Sequence, residues 1–158
     1  GSFKDGAPNG EAVYSLPDGT YLKGNFVNFV GQGKMILKEA NGTTYEGNFE
    51  NGLKSGFGKI VLPDGMQYEG EWKYDVPNGK GKITYPGGET YEGEFLDGLR
   101  HGHGKMSDTK QGMEYEGGWY KDMMHGEGLL KAEKDGWEYD GSFVNSKRSG
   151  YGTIKFTA

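Results

Sequence analysis

The sequence predicts an all-β chain, an elongated, twisted, single antiparallel sheet of consecutive β-hairpins. Three observations predict it. Glycine supplies 31 of 158 residues while hydrophobic residues make up only 33%, so the structure is ordered around little interior. Aromatic residues reach 14%, and the 26% of charged residues are mixed rather than blocked, which argues against disorder despite a mean hydropathy of -0.81. The third is a repeat: Gly24, Gly47, Gly70, Gly93, Gly117 and Gly141 stand 23, 23, 23, 24 and 24 residues apart.

Two further glycine columns share this period. Nine residues after each first glycine comes Gly10, Gly33, Gly56, Gly79, Gly102, Gly126 or Gly150, with Gly1 in phase ahead of Gly10. Two residues later come Gly58, Gly81, Gly104, Gly128 and Gly152, with Ala12 and Met35 breaking the column in the first two units. Residues 1–158 therefore form a single array of about seven units, the first and last incomplete. Gly1-Ser2 reads as a cloning remnant and the pattern starts in mid-unit, so the array is expected to be the C-terminal part of a longer protein.

Each unit reads as two strands. In Tyr68–Trp72, alternation puts Tyr68, Gly70 and Trp72 on one face and Glu69 and Glu71 on the other. In Gly79–Tyr85, the residues Gly79, Gly81, Ile83 and Tyr85 share a face. The six residues Lys73 to Asn78 are expected to form the hairpin loop, so that Trp72 faces Gly79, Gly70 faces Gly81 and Tyr68 faces Ile83. Phe49, Trp72, Phe95, Trp119 and Phe143 are then the rings that lie flat across glycines. Each buried ring contributes about 2–3 kcal/mol, against roughly 0.5–1 kcal/mol lost per strand glycine, so the arrangement is favourable. The other face pairs charges: Glu46 with Lys59, Glu69 with Lys82, Glu71 with Lys80, Glu92 with Lys105. The links between units, such as Leu62–Met66 (LPDGM) and Leu16–Thr20 (LPDGT), suit a type I turn followed by a left-handed glycine. That three-residue loop keeps the aromatic face in phase and sets Ile60 against Tyr68. The last two links carry one extra residue and are expected to be looser.

At these residues the sequence resembles the MORN (membrane occupation and recognition nexus) repeat family. Tyr91–Gly104 (YEGEFLDGLRHGHG) and Tyr45–Gly58 (YEGNFENGLKSGFG) carry its pattern most closely, and the resemblance spans the chain. The second unit departs most, with Leu22 at the tyrosine position, Phe29 in the loop and Met35 for the third glycine. The resemblance implies a sheet of hairpins with an aromatic-lined groove, and with it structural, peptide-binding or phosphoinositide-binding roles.

A net charge of -5 argues against nucleic acid as a partner. The absence of cysteine excludes disulfides and thiolate metal sites, and no apolar run reaches 18 residues. No cofactor and no catalytic constellation is expected, because nearly every candidate recurs by repetition. His101 and His103 are weak metal candidates; His101 shares its turn position with His125, Asn9, Ser55 and Asn78. The expected function is a non-enzymatic scaffold, cytoplasmic and associated with the cytoskeleton or a membrane, that forms a tail-to-tail homodimer through Trp137, Tyr139, Phe143, Tyr151, Ile154 and Phe156. The alternatives are two. One is a groove for a helical or extended peptide over Tyr45, Phe49, Tyr68, Trp72, Tyr91, Phe95, Tyr115 and Trp119. The other is a phosphoinositide headgroup site at Lys54, Arg100, Lys147 and Arg148.

Overall fold

The structure is a computed structural model that describes residues 2–4, 7–28 and 30–156, with side chains from Gly10 onward. Gly1, Phe29 and the side chain of Asn9 lie outside the described residues. The described residues contain strands and turns and no helix.

The chain divides into two units, Gly1–Pro77 and Asn78–Ala158. The first holds β1 (Ser2–Lys4), β2 (Ala7–Ser15), β3 (Tyr21–Val27), β4 (Val30–Lys38), β5 (Thr44–Glu50), β6 (Leu53–Val61) and β7 (Gln67–Lys73). The second holds β8 (Val76–Thr84), which starts at the division, then β9 (Thr90–Leu96), β10 (Leu99–Asp108), β11 (Met113–Tyr120), β12 (Met123–Ala132), β13 (Trp137–Val144) and β14 (Lys147–Phe156). Within each unit consecutive strands pair antiparallel, so each is an open antiparallel sheet of consecutive hairpins.

The links form as the sequence predicts. In Leu62–Met66, Leu62 N–H donates to Met66 O at 2.8 Å, Gly65 N–H to Leu62 O at 3.0 Å, and Met66 N–H to Asp64 Oδ1 at 2.9 Å. Gly65 sits at φ 95°, where a side chain is disfavoured and glycine is not. This loop sets Ile60 opposite Tyr68, and its counterpart sets Leu37 opposite Tyr45. The longer links differ: near Asp135, two backbone N–H groups converge on Ala132 O, at 3.1 and 2.9 Å.

The hairpins differ from expectation. No six-residue loop closes them; β5 and β6 meet through Asn51-Gly52 alone, at φ 51° and 81°. The turns at Lys121-Asp122 and Asn145-Ser146 adopt the same left-handed pair, whose twist matches that of the flanking strands. The surplus residues are absorbed as a bulge: Gly47 faces Gly58, but Phe49 faces Lys54 rather than Gly56. Gly56 meets a large ring from the other side instead, opposite Trp72 across the link. Its φ of 69° belongs to the bulge, and that conformation is why the second column is glycine.

The ring lying over glycine is the tyrosine, not the tryptophan or phenylalanine named from the sequence. A Cβ at Gly58 would stand 2.5 Å from Tyr45 Cζ, and Gly104, Gly128 and Gly152 are covered in the same way by Tyr91, Tyr115 and Tyr139. Tyr45, Tyr68, Tyr91, Tyr115 and Tyr139 are all buried, together with Trp72, Phe95, Trp119 and Phe143, and they form the core. On the opposite face Glu46 pairs in register with Lys59 and Glu92 with Lys105. The ion pair Lys105 makes, however, is a diagonal one with Glu114, at 2.8 Å.

The variant second unit is solved by exchange. Tyr14 stands opposite Leu22, whereas elsewhere an aliphatic residue on that strand faces a tyrosine. The ring has changed strands and packs edge-on against Phe26 at 4.8 Å. Met35, in place of the third glycine, lies over Gly24 and Gly31, filling the space a tyrosine takes in other units. A cleft of about 250 Å³ opens here, lined by Tyr14, Leu16, Thr20, Leu22, Phe26 and Leu37.

Candidate functional site

The groove rings hold one another in place. Tyr45 meets Phe49 at 5.2 Å and Trp72 at 5.4 Å, both edge-on, and Tyr91 meets Phe95 and Trp119 at 5.1 and 5.2 Å. Each tyrosine hydroxyl donates to the carbonyl three residues on: Tyr45 to Asn48, Tyr68 to Glu71, Tyr91 to Glu94, Tyr115 to Gly118 and Tyr139 to Ser142. Burial pushes the Tyr45 and Tyr115 hydroxyls up to about 12, and raises those of Tyr68 and Tyr91 as well. Trp72 Nε1 donates to Gly58 O at 2.9 Å and Trp119 Nε1 to Gly104 O at 3.0 Å. Of the eight residues read as a partner groove, only Phe49 is part-exposed; the others are buried. They are spent on the core.

The four cations read as a headgroup site separate into two classes. Lys54 pairs with Asp75 at 3.6 Å, and Arg100 Nε with Asp122 at 2.7 Å. Arg100 also donates from its second terminal nitrogen to Asp122 O and lies 4.6 Å from the Trp119 ring centroid. Lys147 and Arg148 make no ion pair among the described residues; Arg148 rests 5.5 Å from the Trp137 ring and 5.7 Å from that of Tyr139.

The acidic partners belong to a backbone latch that sequence reasoning missed. Four hairpin turns reach back to the second residue of a strand in the preceding hairpin. Asp75 N–H donates to Lys54 O at 3.1 Å, and Lys54 N–H donates to Asp75 Oδ1 at 2.8 Å. Asp122 and Arg100 repeat the exchange at 2.9 and 3.1 Å, and Ser146 and Met124 repeat it through the serine hydroxyl at 2.9 and 3.1 Å. Gly52, with no side chain, keeps only the donation to Gly31 O. The signal in the sequence was the recurrence of Trp-x-x-Asp in Trp72–Asp75 and Trp119–Asp122.

The histidines are placed apart from any such site. His101 and His125 each lie 5.5 Å from the Tyr120 ring. His103 N–H donates to Glu94 Oε2, and its Nε2 is 3.7 Å from Glu116. No group of three metal-ligating side chains occurs among the described residues.

The six residues read as a dimer interface also divide. Tyr139 and Phe143 are core and Trp137 is half-buried. Every residue of β14 is exposed, with Tyr151 at 97% and Phe156 at 79%. Ile154 and Phe156 face Tyr139 and Trp137 in register on the aromatic side. Tyr151, adjacent to Gly152, points to the charged side.

The MORN repeat family model matches residues 1–21, 45–67, 68–90, 91–113, 115–132 and 139–157. The chain belongs to the MORN repeat family. The stretch the model passes over, 22–44, holds Leu22 and Met35, yet it folds as the hairpin β3–β4 like its neighbours. MORN repeats generally serve protein–protein or protein–membrane interactions, and the family is a scaffold rather than a known enzyme class. No helix among the described residues is long and apolar enough to cross a membrane. No curated protein matches the chain.

Proposed function

We propose that this MORN array is a non-enzymatic scaffold that associates with a second copy through the open edge of β14, as part of a cytoskeletal or membrane-bound assembly. One observation carries the reading: β14 leaves all ten of its residues exposed, while Ile154 and Phe156 extend the aromatic face that the core begins. An unpaired strand with apolar side chains takes up another strand through its free N–H and C=O groups. The groove alternative is less favoured because its rings are already buried against each other. A headgroup role is less favoured at Lys54 and Arg100 because carboxylates hold both.

Sedimentation velocity tests the proposal. The chain is expected to form a dimer, and Phe156→Ala with Tyr151→Ala is expected to shift it to monomer. A parent chain that stays monomeric at high concentration ends the reading.

A further inference from the structure

The outer face of the second unit carries a row of apolar side chains beside its hairpin turns. Phe95, Trp119 and Phe143 are buried on the aromatic face, so alternation turns Leu96, Tyr120 and Val144 to the opposite one. Leu99 stands opposite Leu96 and Met123 opposite Tyr120, on that same outer face. All five are between 37% and 45% exposed. Tyr120 is flanked on both sides: the rings of His101 from β10 and His125 from β12 each lie 5.5 Å from its own. An apolar row kept through three successive hairpins and left wet marks an interaction surface. Its exposure does not come from an open edge, because each strand from β9 to β13 is paired on both sides.

The charge beside the row is acidic. Glu94, Glu116, Glu127 and Asp140 follow on the same face, farther from the turns. Glu94 accepts from His103 N–H at 2.7 Å and Glu127 from the Ser142 hydroxyl at 2.6 Å, while Glu116 lies 3.7 Å from His103 Nε2. Among the described residues no lysine or arginine forms an ion pair with any of the four. At the turns themselves Asp97 adds a carboxylate, against Lys147 and Lys121, the latter set over the Tyr120 ring at 5.3 Å. The row is therefore bordered by a surplus of negative charge.

The spacing selects the shape of what docks. Equivalent residues of successive hairpins are two strands apart, roughly 10 Å. Residues seven apart in an α-helix stand about 10.5 Å apart on nearly one face. In an extended peptide the side chains of one face recur every ~7 Å and fall out of step. From β9 to β13 the row is roughly 19 Å long, the length of about 13 residues of helix. We propose that the row docks an amphipathic, basic α-helix of a partner. Its apolar residues at heptad spacing cover Leu96, Leu99, Tyr120, Met123 and Val144, and its lysines or arginines meet the bordering carboxylates. Those carboxylates disfavour an anionic lipid surface. A second copy is disfavoured by the net charge of -5 and by the absence of a helix among the described residues. This face is separate from the edge of β14, so the site and the dimer stand or fall independently.

The probe is a fluorescein-labelled peptide of about three heptads, with leucine at the first and fourth positions of each and lysine at the positions beside them. Binding to the 158-residue chain is followed by fluorescence anisotropy. The peptide is expected to bind and to gain helical dichroism as it does. Leu96→Thr with Leu99→Thr, exposed changes that keep strand propensity and leave near-ultraviolet dichroism unaltered, are expected to weaken binding at least about tenfold. Glu116→Gln with Glu127→Gln is expected to weaken it several-fold and to flatten its dependence on salt. A peptide with glutamate in place of each lysine is expected not to bind, and Phe156→Ala in β14 to leave binding unchanged. Equal binding by the leucine double variant or by the glutamate peptide overturns the proposal, as does no binding at all. Flotation with anionic vesicles that depends on Leu96 and Leu99, without peptide binding, overturns it in favour of a membrane surface. A dimer in sedimentation that the leucine double variant breaks overturns it in favour of a second copy. A chain that dimerises through β14 but ignores the peptide loses this site and keeps the scaffold reading; a monomer that binds the peptide does the reverse.

Discussion

Gly58→Ala puts the central packing rule to the test. Gly58 has no left-handed backbone to lose, so an alanine there is penalised by contact alone. Its Cβ would sit 2.5 Å from Tyr45 Cζ and 2.7 Å from Tyr45 Cε2, distances that real Cβ atoms essentially never show. Tyr45 has nowhere to go. It is 1% exposed, its hydroxyl is bonded to Asn48 O at 2.9 Å, and Phe49 and Trp72 stand edge-on at 5.2 and 5.4 Å. Overpacking of this kind costs about 1–3 kcal/mol, and losing the tyrosine hydrogen bond adds about 1 kcal/mol. Reduced freedom of the unfolded chain returns about 0.4–1 kcal/mol, leaving a net loss of about 1–4 kcal/mol. The comparison variant is Gly65→Ala, where φ is 95° but nothing lies within 4 Å of the new methyl; backbone strain alone costs about 1 kcal/mol there. Urea denaturation gives the global difference, and hydrogen exchange in β5 and β6 reports whether the loss is local, as a repeat array with nearest-neighbour coupling requires. If Gly58→Ala proves as mild as Gly65→Ala, the tyrosine is not what excludes a side chain and the reasoning fails.

Two further outcomes follow from the same geometry. In the variant unit, Leu22→Tyr alone drives a ring into Met35 and Met35→Gly alone leaves a cavity, so each is expected to destabilise by about 1–3 kcal/mol. Together they restore the tyrosine-over-glycine pair of the other units, with Tyr14 still opposite position 22, and a double-mutant cycle should show favourable coupling of at least about 1 kcal/mol; additivity would contradict the pairing of these two positions. In alkali, the folded chain holds protons on Tyr45 and Tyr115 up to about pH 12 that an unfolded chain releases near ~10. The stability these groups confer is complete below pH ~10 and falls as pH rises toward 12, so phenolate absorbance of the core should appear together with loss of near-ultraviolet dichroism. Core ionisation before unfolding would contradict the burial.

The repeat period, the alternating faces and the link turns were legible because each is local. Leu62–Met66 carries its own turn chemistry, and parity then fixes Ile60 against Tyr68. Asn51-Gly52 carries the usual signal of a left-handed pair, but the turns at Tyr74-Asp75 and Lys121-Asp122 were not legible, because they lack that glycine. Their conformation is held instead by hydrogen bonds to Lys54 and Arg100, more than twenty positions away in the chain. The choice of ring was hidden for a related reason. Phe49 lies opposite Gly33 in register, whereas Tyr45 lies opposite Leu37 and Ile60 and reaches diagonally over Gly58, so facing partners alone do not tell which ring covers a glycine. Side-chain chemistry alone groups Tyr151 with Phe156, whereas the pleat of the strand turns them to opposite faces.

The core columns and the latch column carry different information. Tyrosines and glycines recur almost unchanged, so any hairpin could in principle stack on any other, and a register slip of one whole unit would preserve the core. The latch position varies instead: Gly31, Lys54, Arg100 and Met124. Its partners vary with it, a carboxylate turn for Lys54 and Arg100, a hydroxyl for Met124, a bare backbone for Gly31. A slip would set Asp122 against a residue other than Arg100, stripping the guanidinium of its carboxylate and the tryptophan of its cation. Buried or stacked charge left unpaired is costly in a way that a lost surface pair is not. The latches thus distinguish neighbours that the core treats as equal.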